Sequence, residues 1–547
     1  MTDLLTPLDR YLAEQRGTTA VGRFARWHER DGGGRLAALT HYRELVPLER
    51  PGPGEQYAFQ VDLDSCTGCK ACVSACNHMN GLDEGESWRS VGLLVGSRGD
   101  QPFQQSVTAG CHHCAEPACL SGCPVDAYEK DAETGIVHHL DDQCIGCRYC
   151  ILMCPYEVPT FSDRLGIVRK CDMCSGRLAA GEAPACAQAC PNGAITITVV
   201  ARAESAARAT GGEATVPGAP DPRITLPTTV YRTTRPALLA SEAADRSSAE
   251  PAHDHPPLVV MLVLTQLSVG AFATDYLLTV LDRRVVAGPF PAAFALAAGL
   301  LALGASLLHL GRPRYAYRAV VGLRHSWLSR EIVAFGGFAG VAAAYAAARW
   351  LTPGTMTPPM LALGALVVLT GAAGVGCSVM IYAVTRRTWW RAAMTAPRFA
   401  LSGAVSGASV VMAAGVVTAV LGGATALSAP TGPLALTVMG ATAAKLALEA
   451  EVLRNRRAGS PADLAGTARL LAGPLRGLVQ RRVAAGMAGG IVVPGILALL
   501  ATEPEAPVGV AAGFAVTGAL LVLAGELWER SAFFRAVAAP RMPGGPA

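Results

Sequence analysis

Apolar residues crowd into the second half of this 547-residue chain and thin out in the first. From Leu258 onward they form eight long runs, at 258–281, 288–310, 329–349, 358–384, 398–422, 432–452, 483–502 and 506–527. About 20 apolar residues in a helix cross the hydrocarbon layer of a bilayer, so the pattern predicts eight membrane-spanning helices. Their many Gly, Ala and Ser residues predict close helix packing. Buried helices of a water-soluble core do not come as eight such runs in succession. The first half has another rhythm. Residues 58–200 are short segments broken by Gly, Pro and Asp, with little helical periodicity. Residues 1–57 are polar and read as an N-terminal extension, with a short helix expected at 4–12. Residues 201–256 are rich in Ala, Ser, Glu, Pro and Thr and read as a linker, with strand-like residues at 221–231 that pack on a neighbour. The predicted division is therefore an extension at 1–57, a compact domain at 58–200, a linker at 201–256 and a membrane part at 257–547.

Composition sharpens this division. With 51% hydrophobic residues, 16% charged residues and a mean hydropathy of +0.33, disorder and an all-soluble enzyme are excluded. Of 17 cysteines, all but Cys377 lie between Cys66 and Cys190. Cys377 falls inside a predicted span and reads as a small packing residue. The length excludes a small secreted disulfide scaffold. Net charge is +4, and lysine occurs only at Lys70, Lys130, Lys170 and Lys445. The arginines cluster around the spans and not in one soluble patch, so no nucleic-acid partner is expected. The first fifteen residues have no basic stretch, apolar core or Arg–Arg pair, and do not read as an export signal.

The sixteen clustered cysteines form four groups: Cys66, Cys69, Cys72 and Cys76; Cys111, Cys114, Cys119 and Cys123; Cys144, Cys147, Cys150 and Cys154; Cys171, Cys174, Cys186 and Cys190. The first and third match C-x2-C-x2-C-x3-C, the bacterial ferredoxin run. Three close thiolates wrap three corners of a cubane, and the fourth, a helical turn on, points to the next cluster. The Pro that often follows is present as Pro124, Pro155 and Pro191, while Asn77 follows Cys76. Sixteen cysteines at four per cubane predict four [4Fe–4S] clusters. Zinc ribbons share C-x2-C pairs, but zinc has no need of three thiolates crowded in C-x2-C-x2-C. A domain so poor in apolar runs needs such inorganic support to hold its fold.

Two stretches carry a resemblance. Cys111-His-His-Cys114-Ala-Glu-Pro-Ala-Cys119 and Gly166-Ile-Val-Arg-Lys-Cys171-Asp-Met-Cys174-Ser-Gly-Arg-Leu178 resemble the four-cluster iron–sulfur subunit of the dimethyl sulfoxide reductase family, over about residues 57–200. That subunit wires a molybdenum enzyme to the membrane. The resemblance, with the exchange of fourth ligands, implies four sets: Cys66, Cys69, Cys72 and Cys190; Cys171, Cys174, Cys186 and Cys76; Cys111, Cys114, Cys119 and Cys154; Cys144, Cys147, Cys150 and Cys123. In the related nitrate reductase subunit a Trp stands where this protein has Cys147 and leaves a three-iron cluster, so Cys147 implies four four-iron clusters here. The implied fold is an α+β double dicluster-ferredoxin-like domain followed by an all-α eight-helix transmembrane bundle.

The membrane half is similar to the anchor of the same family at Leu308-His309-Leu310-Gly311-Arg312-Pro313, at Ser326-Trp327-Leu328-Ser329-Arg330-Glu331-Ile332 and at Leu523-Ala524-Gly525-Glu526-Leu527. That anchor binds menaquinol and carries no haem. Residue chemistry agrees. Quinol oxidation needs a proton acceptor, His309 ends the second span near water, and Glu331 opens the third. His309, Glu331 and Arg312 are the candidate quinone-binding residues. Asp275, Lys445, Glu449 and Glu526 are weaker ones, and Lys445 and Glu449, four apart, are expected to neutralise each other. Only His309 and His325 fall near the spans, too few for paired haem ligands, so no haem is expected.

With eight spans, nineteen Arg fall on the side of the termini, from Arg312 to Arg541, against Arg283, Arg284 and Arg349 on the other. The positive-inside rule predicts a multi-pass protein of the inner membrane with its iron–sulfur domain in the cytoplasm. The resemblance implies an electron-transfer and membrane-anchor subunit between menaquinol, or another quinone of the membrane pool, and a separate molybdenum or tungsten pterin subunit. The alternative is an energy-coupling, proton-translocating quinone module like that of polysulfide reductase-like complexes. A continuous row of ionisable residues through the bundle would mark it. A zinc-binding structural anchor is the third reading.

Overall fold

The computed structural model describes residues 6, 45–47, 49–98, 100–211, 215–235, 240–245, 250–281, 289–352, 356–456, 461–503 and 505–544. The helix expected at 4–12 lies outside them, Thr6 apart.

The soluble part is built from short elements around small cores. Strand β1 (Glu55–Asp62) is the centre of a three-stranded sheet, antiparallel to β8 (Ile195–Ala201) and parallel to β9 (Val230–Arg232). Strands β2 (Arg89–Arg98) and β3 (Gln101–Gly110) form a hairpin that β10 (Glu242–Ala243) extends. Two smaller hairpins are β4 (Tyr128–Lys130) with β5 (Val137–His139), and β6 (Thr160–Ser162) with β7 (Ile167–Arg169). Between them lie short helices: α1 (Ala71–Asn80), α2 (Ala118–Gly122), α3 (Tyr149–Met153), α4 (Ser175–Ala179) and α5 (Ala185–Gln188). Three separate apolar clusters hold the domain, and cysteines belong to each of them. This is the small, divided core that the broken sequence pattern implies.

The stretch 201–256 is not a plain linker. Arg202–Thr210 forms α6, which buries Ser205 and Ala209, and β9 and β10 sit in the two three-stranded sheets. Strands of two or three residues are too short to show a period of two, so only β9, at the end of the strand-like stretch 221–231, left a trace in the sequence.

Eight spans follow among the described residues: Pro256–Leu281 (α7), Pro289–Leu307 (α8), Trp327–Leu351 (α9), Pro358–Ala383 (α10), Ala392–Leu421 (α11), Thr431–Arg456 (its α-helical part, Thr431–Glu451, being α12), Arg476–Leu500 and Val508–Arg535. Before the seventh comes the short helix α13 (Ala462–Ala472). The seventh is two helices, α14 (Arg476–Met487) and α15 (Val493–Leu500), joined through a π-helical turn at Ala488–Val492; the eighth is α16. Leu301, Leu351, Leu369, Leu421, Leu499 and Leu520 stay exposed on the bundle, as lipid-facing residues do. Helix α7 packs against α8, α10, α11 and α16. Its crossing with α11 is backbone to backbone. A Cβ on Gly270 would lie 1.9 Å from Gly403 O, and one on Gly407 2.2 Å from Gly270 C. Gly403 and Gly407 are a Gly-x-x-x-Gly pair, which lets two helices approach this closely.

Two segments fasten the halves together. Residues 308–326, between α8 and α9, lie against the cysteine loops. After α16 the chain returns to the soluble domain, where Met542 joins the core of Leu94, Val107 and Tyr156 and Gly544 N donates to Asp245 Oδ2 at 3.2 Å.

Candidate functional site

The cysteine loops repeat one backbone device. In the first loop Gly68 and Lys70 have φ of 71° and 61°, and in the third Gly146 and Arg148 have 68° and 59°. Left-handed residues alternating with ordinary ones curl the chain so that successive N–H groups face inward, which suits an anion. Several of these N–H groups reach sulfur: Gly146 N to Cys144 Sγ at 3.4 Å, Met173 N to Cys171 Sγ at 3.3 Å, Ala127 N to Cys123 Sγ and Ala194 N to Cys190 Sγ at 3.2 Å.

The thiols gather in fours. Burial raises most of them, Cys76 to about 12 and Cys123 and Cys154 to about 11, and neighbouring sulfurs add to it. Cys66 is raised, after burial, by Cys72, Cys190 and Cys69. Cys76 faces Cys186 and Cys174, and Cys171 faces Cys76 and Cys186. Cys114 faces Cys111, Cys154 and Cys119, and Cys150 faces Cys147, Cys123 and Cys144. The sets are also neighbours in a row. Cys72 of the first feels Cys186 of the second, Cys171 of the second feels Cys111 of the third, and Tyr128 stands between Cys119 and Cys150 of the third and fourth. Buried cations lie among them. Arg89 is beside Cys186, Cys171, Cys72 and Cys76, and Lys170 is beside Cys111, Cys119 and Cys171. Four facing thiols, inward N–H donors and nearby cations fit an anionic four-iron cubane, whose iron takes thiolates and releases their protons.

The fourth set lies on the membrane half. Gly311 N donates to Gly146 O at 3.2 Å and Arg312 N to Ile145 O at 3.0 Å. There is no room for a side chain: a Cβ on Gly311 would lie 2.1 Å from Gly166 O. On the other flank Gly322 N donates to Pro124 O at 2.9 Å and Ser326 Oγ to Gly122 O at 2.8 Å, while His325 Nε2 meets Cys123 O at 3.0 Å.

This docking brings His309 against the backbone of Cys147. Both line a cavity of about 1130 Å³ between the soluble domain and the bundle. Its wall is mostly apolar, from Leu258, Met261, Leu303, Phe335 and Phe534, with Tyr149, Glu331, Tyr382, Trp390, His253 and His255 as polar points. Glu331 is buried and accepts a hydrogen bond from Ser378. Burial, with His255 and Arg148 close by, pulls His309 down to about 3, so its ring is neutral. Arg312, expected beside His309, is not in this wall. Its Nη1 donates to Asp141 O at 2.8 Å, which makes it a clamp on the soluble domain. His253, His255, Tyr149 and Tyr382 carry no signal in the sequence. Their closeness to His309 comes from tertiary folding.

The weaker candidates lie elsewhere. Asp275 Oδ2 is 3.3 Å from Arg349 Nη1 and 3.5 Å from Tyr345 Oη, near the opposite end of the bundle. Lys445 and Glu449 do not neutralise each other. Lys445 reaches across to Glu526 and to Glu529 (3.5 Å), and Glu449 pairs with Arg482 at 2.9 Å. Arg482 also meets Glu526 at 3.2 Å, and Arg530 meets Glu529 at 3.3 Å. At membrane depth an ion pair between helices removes two unpaired charges at once, and that outweighs an i,i+4 contact. Cys377 lies within α10, outside this wall.

Comparison with known proteins bears on both halves. The 4Fe-4S dicluster domain family matches residues 103–200, and the DMSO reductase anchor subunit (DmsC) family matches residues 252–453. The B subunit of the anaerobic dimethyl sulfoxide reductase of Haemophilus influenzae is 33% identical over 199 residues, which are 35% of this protein and 95% of that one. Its namesake in Escherichia coli is 38% identical over 144 residues, 25% of this protein and 70% of that one. The iron–sulfur subunit of Escherichia coli formate dehydrogenase-O is 33% identical over 157 residues, 26% of this protein and 52% of that one.

Proposed function

Because the chain belongs to the dimethyl sulfoxide reductase family, with an iron–sulfur subunit and a DmsC-type anchor in one polypeptide, we propose that it carries electrons from a membrane quinol, menaquinol in the first place, to a separate molybdenum or tungsten pterin subunit. Four [4Fe–4S] clusters supply one-electron carriers when bound. Cys66, Cys69, Cys72 and Cys190 hold the first; Cys171, Cys174, Cys186 and Cys76 the second; Cys111, Cys114, Cys119 and Cys154 the third; Cys144, Cys147, Cys150 and Cys123 the fourth. The facing of the thiols in these same fours supports the assignment. The row begins at Cys69, which is exposed, and ends at Cys147 in the wall of the cavity. The exposed end suits a catalytic partner, and the membrane end suits a quinol.

The observation that carries the quinol reading is the cavity itself. Its wall is mostly apolar, although Arg148, Glu157, Arg387 and Arg469 also line it; it lies where the bundle meets the soluble domain and has a neutral imidazole, a buried carboxyl and a cluster-loop cysteine in its wall. Its volume holds a quinone ring and the start of an isoprenoid tail. His309 accepts a hydrogen bond from a quinol hydroxyl, Glu331 offers the second polar contact, and Arg312 keeps the cluster loop seated.

The energy-coupling alternative has one observation in its favour, the buried group of Lys445, Glu526, Glu529, Arg482 and Arg530. These charges are closed on one another by ion pairs, and outside the cavity wall, so we rank that reading second.

Purification of the tagged protein from solubilised membranes, with metal analysis, tests the proposal. About sixteen iron per polypeptide and a large molybdenum- or tungsten-containing partner are expected. Zinc in place of iron, or iron with no such partner, overturns it.

A further inference from the structure

Two histidines in the cavity wall have no part in the reading above. His253 and His255 immediately precede α7. The His255 ring packs edge to face on His309 and on Phe534, both at 5.4 Å between centroids, and His253 packs edge to face on His255 at 5.3 Å. Exposure rises along the row. His309 is 9% exposed, His255 is half-buried and His253 is exposed. The three rings therefore run from the closed side of the cavity to its surface, on the face where the soluble domain docks. Asp254, between the two, is engaged elsewhere, its Oδ2 accepting from Ser531 Oγ at 3.2 Å. The charged and titratable groups that face His255 are His253, Arg148, Asp254 and His309. Burial first, then His253 and Arg148, pull His255 down to about 4. Its ring is neutral at rest and passes an acquired proton on.

We propose that His255 and His253 are the proton exit of the cavity, taking protons from a bound quinol to the water beside the iron–sulfur domain. The proposal rests on the quinol reading and extends it. Oxidation of one quinol breaks two O–H bonds. Two electrons leave one at a time to the iron–sulfur clusters, and each proton passes to a ring nitrogen of His255, then to His253, then to water. A neutral imidazole accepts at one nitrogen and releases the proton held on the other, and a turn of the ring restores its tautomer before the next proton. Ring centroids 5.3 and 5.4 Å apart leave neighbouring rings close enough for one water to link their nitrogens. Protons and electrons then leave on the same face, so this route carries no net charge across the bilayer.

The test uses the full-length protein in membrane vesicles with menadiol as the donor, and follows bleaching of the iron–sulfur absorbance by stopped flow. His255→Ala should slow bleaching by roughly a hundredfold or more, the low end of what general acid–base help supplies. His253→Ala, at an exposed position that does not endanger the fold, should slow it in lightly buffered medium. Added imidazole should restore both, while bleaching by dithionite stays as in the parent. Unchanged rates in both variants, or slowing that imidazole does not relieve, overturn the relay and leave the quinol site standing. A parent protein that dithionite bleaches and menadiol does not overturns the quinol reading itself.

Discussion

Lys170 is one of four lysines in the protein, and it is buried between cysteine loops. Its Nζ donates to Cys171 O at 2.7 Å and to Val137 O, and its charge lies beside Cys111, Cys119 and Cys171. A cation so placed favours the reduced, more negative state of the clusters on either side. A unit charge about 8 Å away at an effective dielectric of about 20 is worth about 2 kcal/mol, or about 90 mV for one electron. Lys170→Met should therefore lower the midpoint potential of the second or third cluster by a shift of that order in a redox titration followed by EPR. An unmoved titration would show that solvent or counter-charges already screen the lysine. Residues of this kind divide sharply in what the sequence reveals. The cysteines were legible because, Cys174 and Cys186 apart, neighbours within each group have two to four residues between them, so spacing alone marks the groups. Lys170 and Arg89 were not, because the thiols they serve come from several loops. His255 was hidden for the same reason, among residues that read as the end of a linker.

At the scale of elements, the segment between α8 and α9 decides how the two halves meet. Gly311 against Gly166 and Gly146 is a contact with no side chains in it, so its spacing is fixed by backbone atoms. Gly311→Val should push the cluster loop away from His309. Since a misplacement of about 1 Å at a reacting site costs about a hundredfold, menadiol-driven bleaching should fall by that order while dithionite bleaching is unaffected. Equal menadiol rates would mean that the loop adjusts. The spans themselves were read closely from their apolar runs, apart from the ends that carry charge. The last run was expected to stop at 527 and α16 continues to Arg535; the seventh was expected from 483 and starts at Arg476. In both places these charges meet other helices, Glu529 pairing with Lys445 and Arg482 with Glu449 while Arg530 donates to Gln266 and Ser402, so the charge that ends an apolar run is satisfied inside the bundle. Strand β9 falls at the end of the stretch 221–231 read as strand-like, whereas β10, two residues long, carries no pattern at all.

For the whole molecule, the expected side of the membrane rests on the arginines. Some of the nineteen have structural duties. Arg312, Arg318, Arg387 and Arg541 contact the soluble domain, and Arg398, Arg482 and Arg530 are buried. Twelve remain on that face, against Arg283 and Arg284 on the other once the buried Arg349 is set aside. The bias survives the subtraction, and a cytoplasmic iron–sulfur domain is the expectation. An alkaline phosphatase inserted between α11 and α12 should be active, and one inserted between α12 and α13 inactive. The reverse pattern would turn the protein over. The division into a cluster domain and a bundle was plain in the sequence, since cysteine and hydropathy are so unevenly spread. The return of the polypeptide after α16 was not, because nothing local marks a few residues as belonging to a core made hundreds of positions earlier. That return has a consequence for biogenesis. Met542 completes a cluster that includes Leu94, Val107, Cys114 and Tyr156. A ribosome adding about 5–20 residues per second reaches Met542 on the order of half a minute after Cys190, the last of the sixteen clustered cysteines. Through that interval the cysteine domain waits with one core unsealed while eight helices enter the bilayer. Iron delivery has its opening then, and insertion of the anchor becomes the event that closes it.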